Sequence, residues 1–163
     1  MTRTILKTVH GSYLYGLNHS DSDRDFFRVV PGDARTVHKV AGKIDITQMS
    51  LERFLTNVYK GSHQSCEALF SPLAEVDPQY RPLFAAIRIT GSDVFARYRR
   101  TIRAFSFGTD KQRRHAVRLG FNLSDLERYG RFNPVLTDNQ KLKVYALSKL
   151  YSGTDLYEAA TNL

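Results

Sequence analysis

The hydrophobic period of this chain changes at Ser50, and that change sets what the chain can fold into. Before Ser50 the apolar residues sit in short β-prone runs: Ile5–Val9, Asp23–Val30 ending at Pro31-Gly32, then Thr36–Val40 and Lys43–Thr47 around an Ala41-Gly42 turn. Such runs bounded by turn residues read as strands, and the last two read as a hairpin. From Ser50 on, Leu51, Phe54, Leu55, Val58 and Tyr59 recur at i, i+3, i+4, i+7 and i+8 behind a capping serine, which is helical spacing. A short helix over Cys66–Phe70 closes at Ser71-Pro72, and further helices are predicted over 79–89, 92–107, 110–129, 138–151 and 154–162. The expected fold is therefore α/β (α+β). A small mixed or antiparallel sheet of three to five strands occupies the first 50 residues, followed by six or seven helices. Residues 1–75 form the expected core, and 76–163 a helical region packed on it as one unit.

Chemistry concentrates at one spacing. Ten residues lie between Gly11-Ser12 and Asp23-Arg24-Asp25. A Gly-Ser reversal after a strand, with Ser12 as the expected N-cap of a short helix over Tyr13–Leu17, turns unpaired backbone N–H groups outward. Phosphate oxygens bind such groups without a charged side chain. On a strand, residues two apart face the same way, so Asp23 and Asp25 present two carboxylates on one side. Mg²⁺ takes one or two carboxylates together with water and phosphate oxygens, and two such ions about 3.5–4 Å apart can serve both oxygens of a phosphoryl transfer. Asp45, set between Ile44 and Ile46, is the candidate third carboxylate; the competing reading puts it on the solvent face of an edge strand. A calcium loop opening at Asp21 is excluded, because its sixth and twelfth positions are Phe26 and Gly32 rather than Gly and Glu.

The Gly-Ser…Asp-x-Asp pattern resembles the signature of the DNA polymerase beta-like nucleotidyltransferase superfamily, especially its minimal members. A broader likeness to predicted nucleotidyltransferases of bacteria and phages runs from Asp45 through Leu51–Leu55, Tyr59-Lys60-Gly61 and Glu67–Pro72. Members of that branch commonly carry Lys-Gly-Asn-Pro, where this chain has Lys60-Gly61-Ser62-His63. The likeness covers roughly residues 5–75. It implies a metal-dependent enzyme that moves a nucleoside monophosphate from a triphosphate to an acceptor. Gly11 and Ser12 would hold the nucleotide, and Asp23, Asp25 and Asp45 would be catalytic and bind Mg²⁺, with Mn²⁺ as the alternative. A His-x-x-Arg in a C-terminal helix of related proteins falls here on His115 and Arg118, further nucleotide-binding candidates together with Lys60. His10 and His19 flank the motif, but a lone histidine beside a turn is ordinarily a hydrogen-bonding residue.

Charge identifies the expected acceptor. The net charge of +8 comes wholly from residues 81–118, where ten basic side chains face only Asp93 and Asp110; the segments on either side are balanced. Arginine predominates there and suits bidentate phosphate contacts, so RNA (such as a tRNA 3′ end) or DNA is the expected acceptor. The bland reading of the same run is a solvated face. A protein hydroxyl, as in antitoxin-type nucleotidylylation, and a catalytically idle RNA- or protein-binding module are the alternatives. The sequence has no 18-residue apolar run and no signal-peptide pattern, so no membrane partner is expected and cytosol is the expected compartment. The single cysteine, Cys66, reads as core packing.

Overall fold

The computed structural model describes residues 3–32 and 35–163. Its elements are β1 (Leu6–His10), α1 (Gly11–Tyr15), β2 (Arg24–Val30), β3 (Val37–Ala41), β4 (Ile44–Ser50), α2 (Leu51–Tyr59), α3 (His63–Phe70), β5 (Glu75–Val76), α4 (Arg81–Ala86), α5 (Ser92–Ser106), α6 (Asp110–Tyr129), α7 (Asp138–Leu150) and α8 (Gly153–Thr161). The mixed α/β fold read from the sequence is present, with the strands in the N-terminal half and most helices in the C-terminal half. The chain divides into two compact units, residues 1–87 and 88–163.

The first unit is built on a five-stranded sheet in the order β3-β4-β2-β1-β5. Only the β2–β4 pair is parallel; the others are antiparallel. The hairpin read from Ala41-Gly42 is present, with Gly42 at φ +60°. The fifth strand, two residues long, lies beyond the first 50 residues and pairs with β1. One face of the sheet carries Leu6, Thr8, Phe27, Val29 and Met49 and is buried. Phe27 meets Phe54 of α2 with ring centroids 5.8 Å apart, and Phe54 meets Phe84 of α4 at 5.9 Å. Full burial of one such ring contributes roughly 1.5–3 kcal/mol, so this aromatic line ties the sheet to α2 and α2 to α4. Ser50 caps α2 as expected, accepting from the Arg53 N–H at 3.2 Å.

The second unit is four helices whose buried faces follow the 3.6 period. Val94, Tyr98 and Ile102 line α5, Ala116, Leu119, Leu123 and Leu126 line α6, Val144 lies on α7, and Leu156 and Ala160 lie on α8. Thr109 with Gln112, and Thr137 with Gln140, form complete capping boxes at the starts of α6 and α7. On α6, burial holds the Asp125 carboxyl above its ordinary 3.8, with Arg128 opposing the shift. A raised carboxyl keeps its proton longer in the folded chain, so this group's contribution to stability is full below the unfolded pKa and is lost as pH rises through the folded one. Asp125→Asn should therefore leave Tm unchanged near pH 3 and raise stability at pH 7. The gain should be under about 1 kcal/mol because the side chain is partly solvated; equal shifts at both pH values in thermal melts would refute this.

Candidate active site

Three strands bring the motif residues together. In β1 and β2, His10 is the register partner of Asp25; in β2 and β4, Asp25 is the register partner of Asp45. Directly opposed residues in a ladder share a face, so His10, Asp25 and Asp45 form one row across the sheet, on its helix-covered side. Asp25 and Asp45 are half-buried at the end of that face. Asp23 precedes β2 and is exposed, two residues from Asp25.

Gly11 is where the row meets the turn. It adopts φ +64°, a region that favours glycine, and the chain passes directly from β1 into α1. A Cβ built there would land on Oδ2 of Asp25 and lie 3.1 Å from its Cγ. The backbone of the Gly-Ser turn is thus packed against the Asp25 carboxylate. Ser12 is not the N-cap. His10, in extended conformation, holds that position and caps with no side-chain bond, because β1 runs one residue further than its apolar pattern and Gly11 makes the reversal at once. Ser12 sits in the first turn of α1, and its carbonyl accepts from the N–H groups of Gly16 and Leu17 at 3.0 and 2.9 Å.

Behind the turn lies a polar cluster that the sequence did not single out. Glu67, on α3, is fully buried; it accepts from the Tyr15 hydroxyl at 2.5 Å and lies 3.6 Å from Nε2 of His10. A carboxylate inside the apolar run Cys66–Phe70 was the available signal, since a buried charge requires partners. His38, on β3, reaches Oδ1 of Asp45 through Nε2, a diagonal neighbour contact across the hairpin.

Carboxylate oxygens suit a hard cation, and two carboxylates from adjacent strands meet what Mg²⁺ asks of a protein. Among the described residues, no group of three or more His, Cys, Asp or Glu side chains is gathered closely enough to hold a metal ion. Asp45 is turned to His38, and Asp23 stands outside the strand. Register sets Asp25 beside Asp45; a metal centre on all three carboxylates would require His38 to leave Asp45 and Asp23 to close on the pair.

Lys60 follows α2 and is exposed. In the second unit, Arg118 is 1 % exposed, and its Nε donates to Nδ1 of His115 at 3.1 Å. The pairing expected from their i, i+3 spacing is present, but the arginine is withdrawn from solvent. Much of the basic run is engaged within its own unit. Arg99 pairs with Glu127, Arg113 binds Asp110 and the Ser148 and Gly108 carbonyls, Arg103 lies over Tyr157, and Arg114 lies over Tyr145. Arg97, Arg100 and Lys111 are exposed.

No protein-family model matches this chain, and no curated protein matches it. None of its helices, among the described residues, is long and apolar enough to cross a membrane.

Proposed function

We propose that this chain is a metal-dependent nucleotidyltransferase that moves a nucleoside monophosphate from a triphosphate to an acceptor hydroxyl, with release of pyrophosphate. The observation that carries the reading is the close approach of Gly11 to the Asp25 carboxylate, with Asp45 in register on the neighbouring parallel strand. In this reading the Gly11-Ser12 turn orients the β- and γ-phosphates. Asp25 and Asp45, joined by Asp23, hold Mg²⁺, which supplies charge neutralisation at the transferring phosphorus. Asp45 also takes the proton of the acceptor hydroxyl, a role that requires His38 to release it. Catalysis of this kind rests on positioning and electrostatics. RNA, such as a tRNA 3′ end, or DNA is the acceptor that the basic balance favours, and a protein hydroxyl is the alternative.

A specific observation favours a second reading, an idle binding module: His38 already engages Asp45, and Asp23 stands apart. Incubation with each α-labelled nucleoside triphosphate, Mg²⁺ or Mn²⁺, total RNA and cell lysate separates the two. The enzyme reading expects metal-dependent label on one macromolecule and stoichiometric pyrophosphate. Label should fall by at least about 10³-fold in Asp25→Ala, the scale at which loss of a main electrostatic group acts. If neither product appears with any nucleotide, and Asp23→Ala/Asp25→Ala leaves ligand binding intact, the enzyme reading is lost.

A further inference from the structure

The sheet of the first unit has a second face, opposite the one that packs on α2. Two rows cross it. One runs Lys7, Arg28, Gln48, through the register pairs Lys7–Arg28 and Arg28–Gln48; the next runs Phe26, Ile46, Lys39, through Phe26–Ile46 and Lys39–Ile46. These six residues line a cavity of about 340 Å³, and among the described residues no carboxylate lines it. Glu75, the β5 partner of Lys7, lies on that lysine's far side.

Two features make this face chemically specific. Lys7 and Arg28 are opposed like charges, and with Glu75 opposite Lys7 on β5 the row still carries a net positive charge. Arg28 is held in place, with Nε donating to Thr4 Oγ1 at 2.9 Å and Nη1 to Gln48 Oε1 at 3.2 Å. The floor beside these cations is a half-buried aromatic ring next to an isoleucine, with Lys7 Nζ 5.6 Å from the ring centroid. An anion with a flat apolar part fits such a surface, and a repeating one fits both rows. That description is single-stranded nucleic acid: bases stack on exposed rings while Lys and Arg take the phosphates. A duplex keeps its bases stacked on each other and leaves the ring unused.

We propose that this face, with Phe26 as stacking platform and Lys7, Arg28 and Lys39 as phosphate contacts, binds single-stranded nucleic acid. It goes beyond the nucleotidyltransferase reading and does not depend on it. A base that takes the Phe26 ring moves the flexible Lys7 ammonium to the flanking phosphate. Lys39 secures the opposite side of the apolar row.

Fluorescence anisotropy of a labelled 12-residue oligouridylate on the full chain, in EDTA and without nucleoside triphosphate, tests this apart from catalysis. Lys7→Glu/Lys39→Glu, both at exposed positions, should weaken binding at least about tenfold. Phe26→Leu keeps apolar volume without a ring and should cost about tenfold. The log–log salt slope should be about −2 for three phosphate contacts. Lys143→Glu/Lys149→Glu, exposed on α7 and outside the basic run 81–118, should leave affinity within about twofold, as expected for residues outside the contact surface. The proposal is overturned if wild type does not bind, or if Lys7→Glu/Lys39→Glu binds like wild type. Loss of binding in Lys143→Glu/Lys149→Glu instead would also overturn it. So would an unchanged Phe26→Leu variant, equal affinity for a 12-base-pair duplex, or equal competition by polyglutamate, which would indicate a plain anion patch or an acidic protein partner.

Discussion

Gly11→Ala is expected to destabilise the chain by about 2–4 kcal/mol and, under the proposed function, to lower nucleotidyl transfer at least about 100-fold. Two costs combine. The backbone at φ +64° is disfavoured for any residue with a Cβ, by about 1–2 kcal/mol. The added methyl also falls on the Asp25 carboxylate, whose Cγ would be 3.1 Å away, so Asp25 must leave its position in the His10–Asp25–Asp45 row. Gly42→Ala separates the two costs. Gly42 has φ +60° but nothing within 4 Å of a Cβ, so only the backbone term applies, about 1–2 kcal/mol. Urea unfolding followed by far-UV circular dichroism should place Gly11→Ala below Gly42→Ala by the cost of the clash. In an Asp25→Ala background the methyl meets no carboxylate, and Gly11→Ala should then cost about what Gly42→Ala costs. The coupling would be about 1–2 kcal/mol, with activity not restored. Strict additivity of Gly11→Ala and Asp25→Ala would show that turn and carboxylate are not in contact.

That contact joins residues 14 apart in sequence, and its legibility was uneven. The strand and helix periods before and after Ser50 were local signals, and β1–β4 and α2–α8 follow them, whereas β5 carried no such signal. The Asp23-x-Asp25 alternation was local too, but the strand begins at Arg24 and leaves Asp23 outside it. The neighbourhood of Asp25 and Asp45 was not: it depends on β4 pairing parallel to β2 rather than only with β3, a non-local choice that strand propensity does not encode. Glu67 was visible as an odd carboxylate in an apolar run, but its partners Tyr15 and His10 lie more than 50 residues earlier, so its place behind the turn could not be read. The start of α1 was misjudged by two residues because a glycine at positive φ needs no capping side chain to reverse the chain. The arginine run also looked more available than it is. A charged run reads as a solvated or ligand-binding face, yet Glu127, Asp110 and Tyr145 from their own unit engage Arg99, Arg113 and Arg114. The basic sheet face was hidden for a related reason. Lys7, Arg28 and Lys39 are far apart in sequence and each looks like an ordinary strand charge; strand register alone brings them together.

Gly120→Ala should destabilise the second unit by about 2–3 kcal/mol, against the sign that helix propensity gives. Gly120 lies within α6, where alanine is intrinsically better by about 1 kcal/mol. Propensity alone would make this a stabilising substitution. The packing says otherwise. A Cβ at Gly120 would fall on the carbonyl oxygen of Ala160, with the carbonyl carbon at 2.9 Å and Leu163 Cδ1 at 3.1 Å. The obstructing atoms of Ala160 are backbone and cannot rotate aside, so α8 must shift away from α6 as a body. Leu156 and Ala160, both fully buried, would lose contacts along their whole length. Tm of the cooperative transition containing α6 and α8 should fall by about 8–20 °C, the range for that loss in a unit of this size. Ala160→Gly should not rescue it, because the clash is with the main-chain carbonyl and removing the Ala160 methyl leaves that oxygen in place. A Gly120→Ala chain that melts at or above the wild-type temperature would show that α6 and α8 are not packed backbone to backbone at this crossing. Propensity would then have outweighed packing.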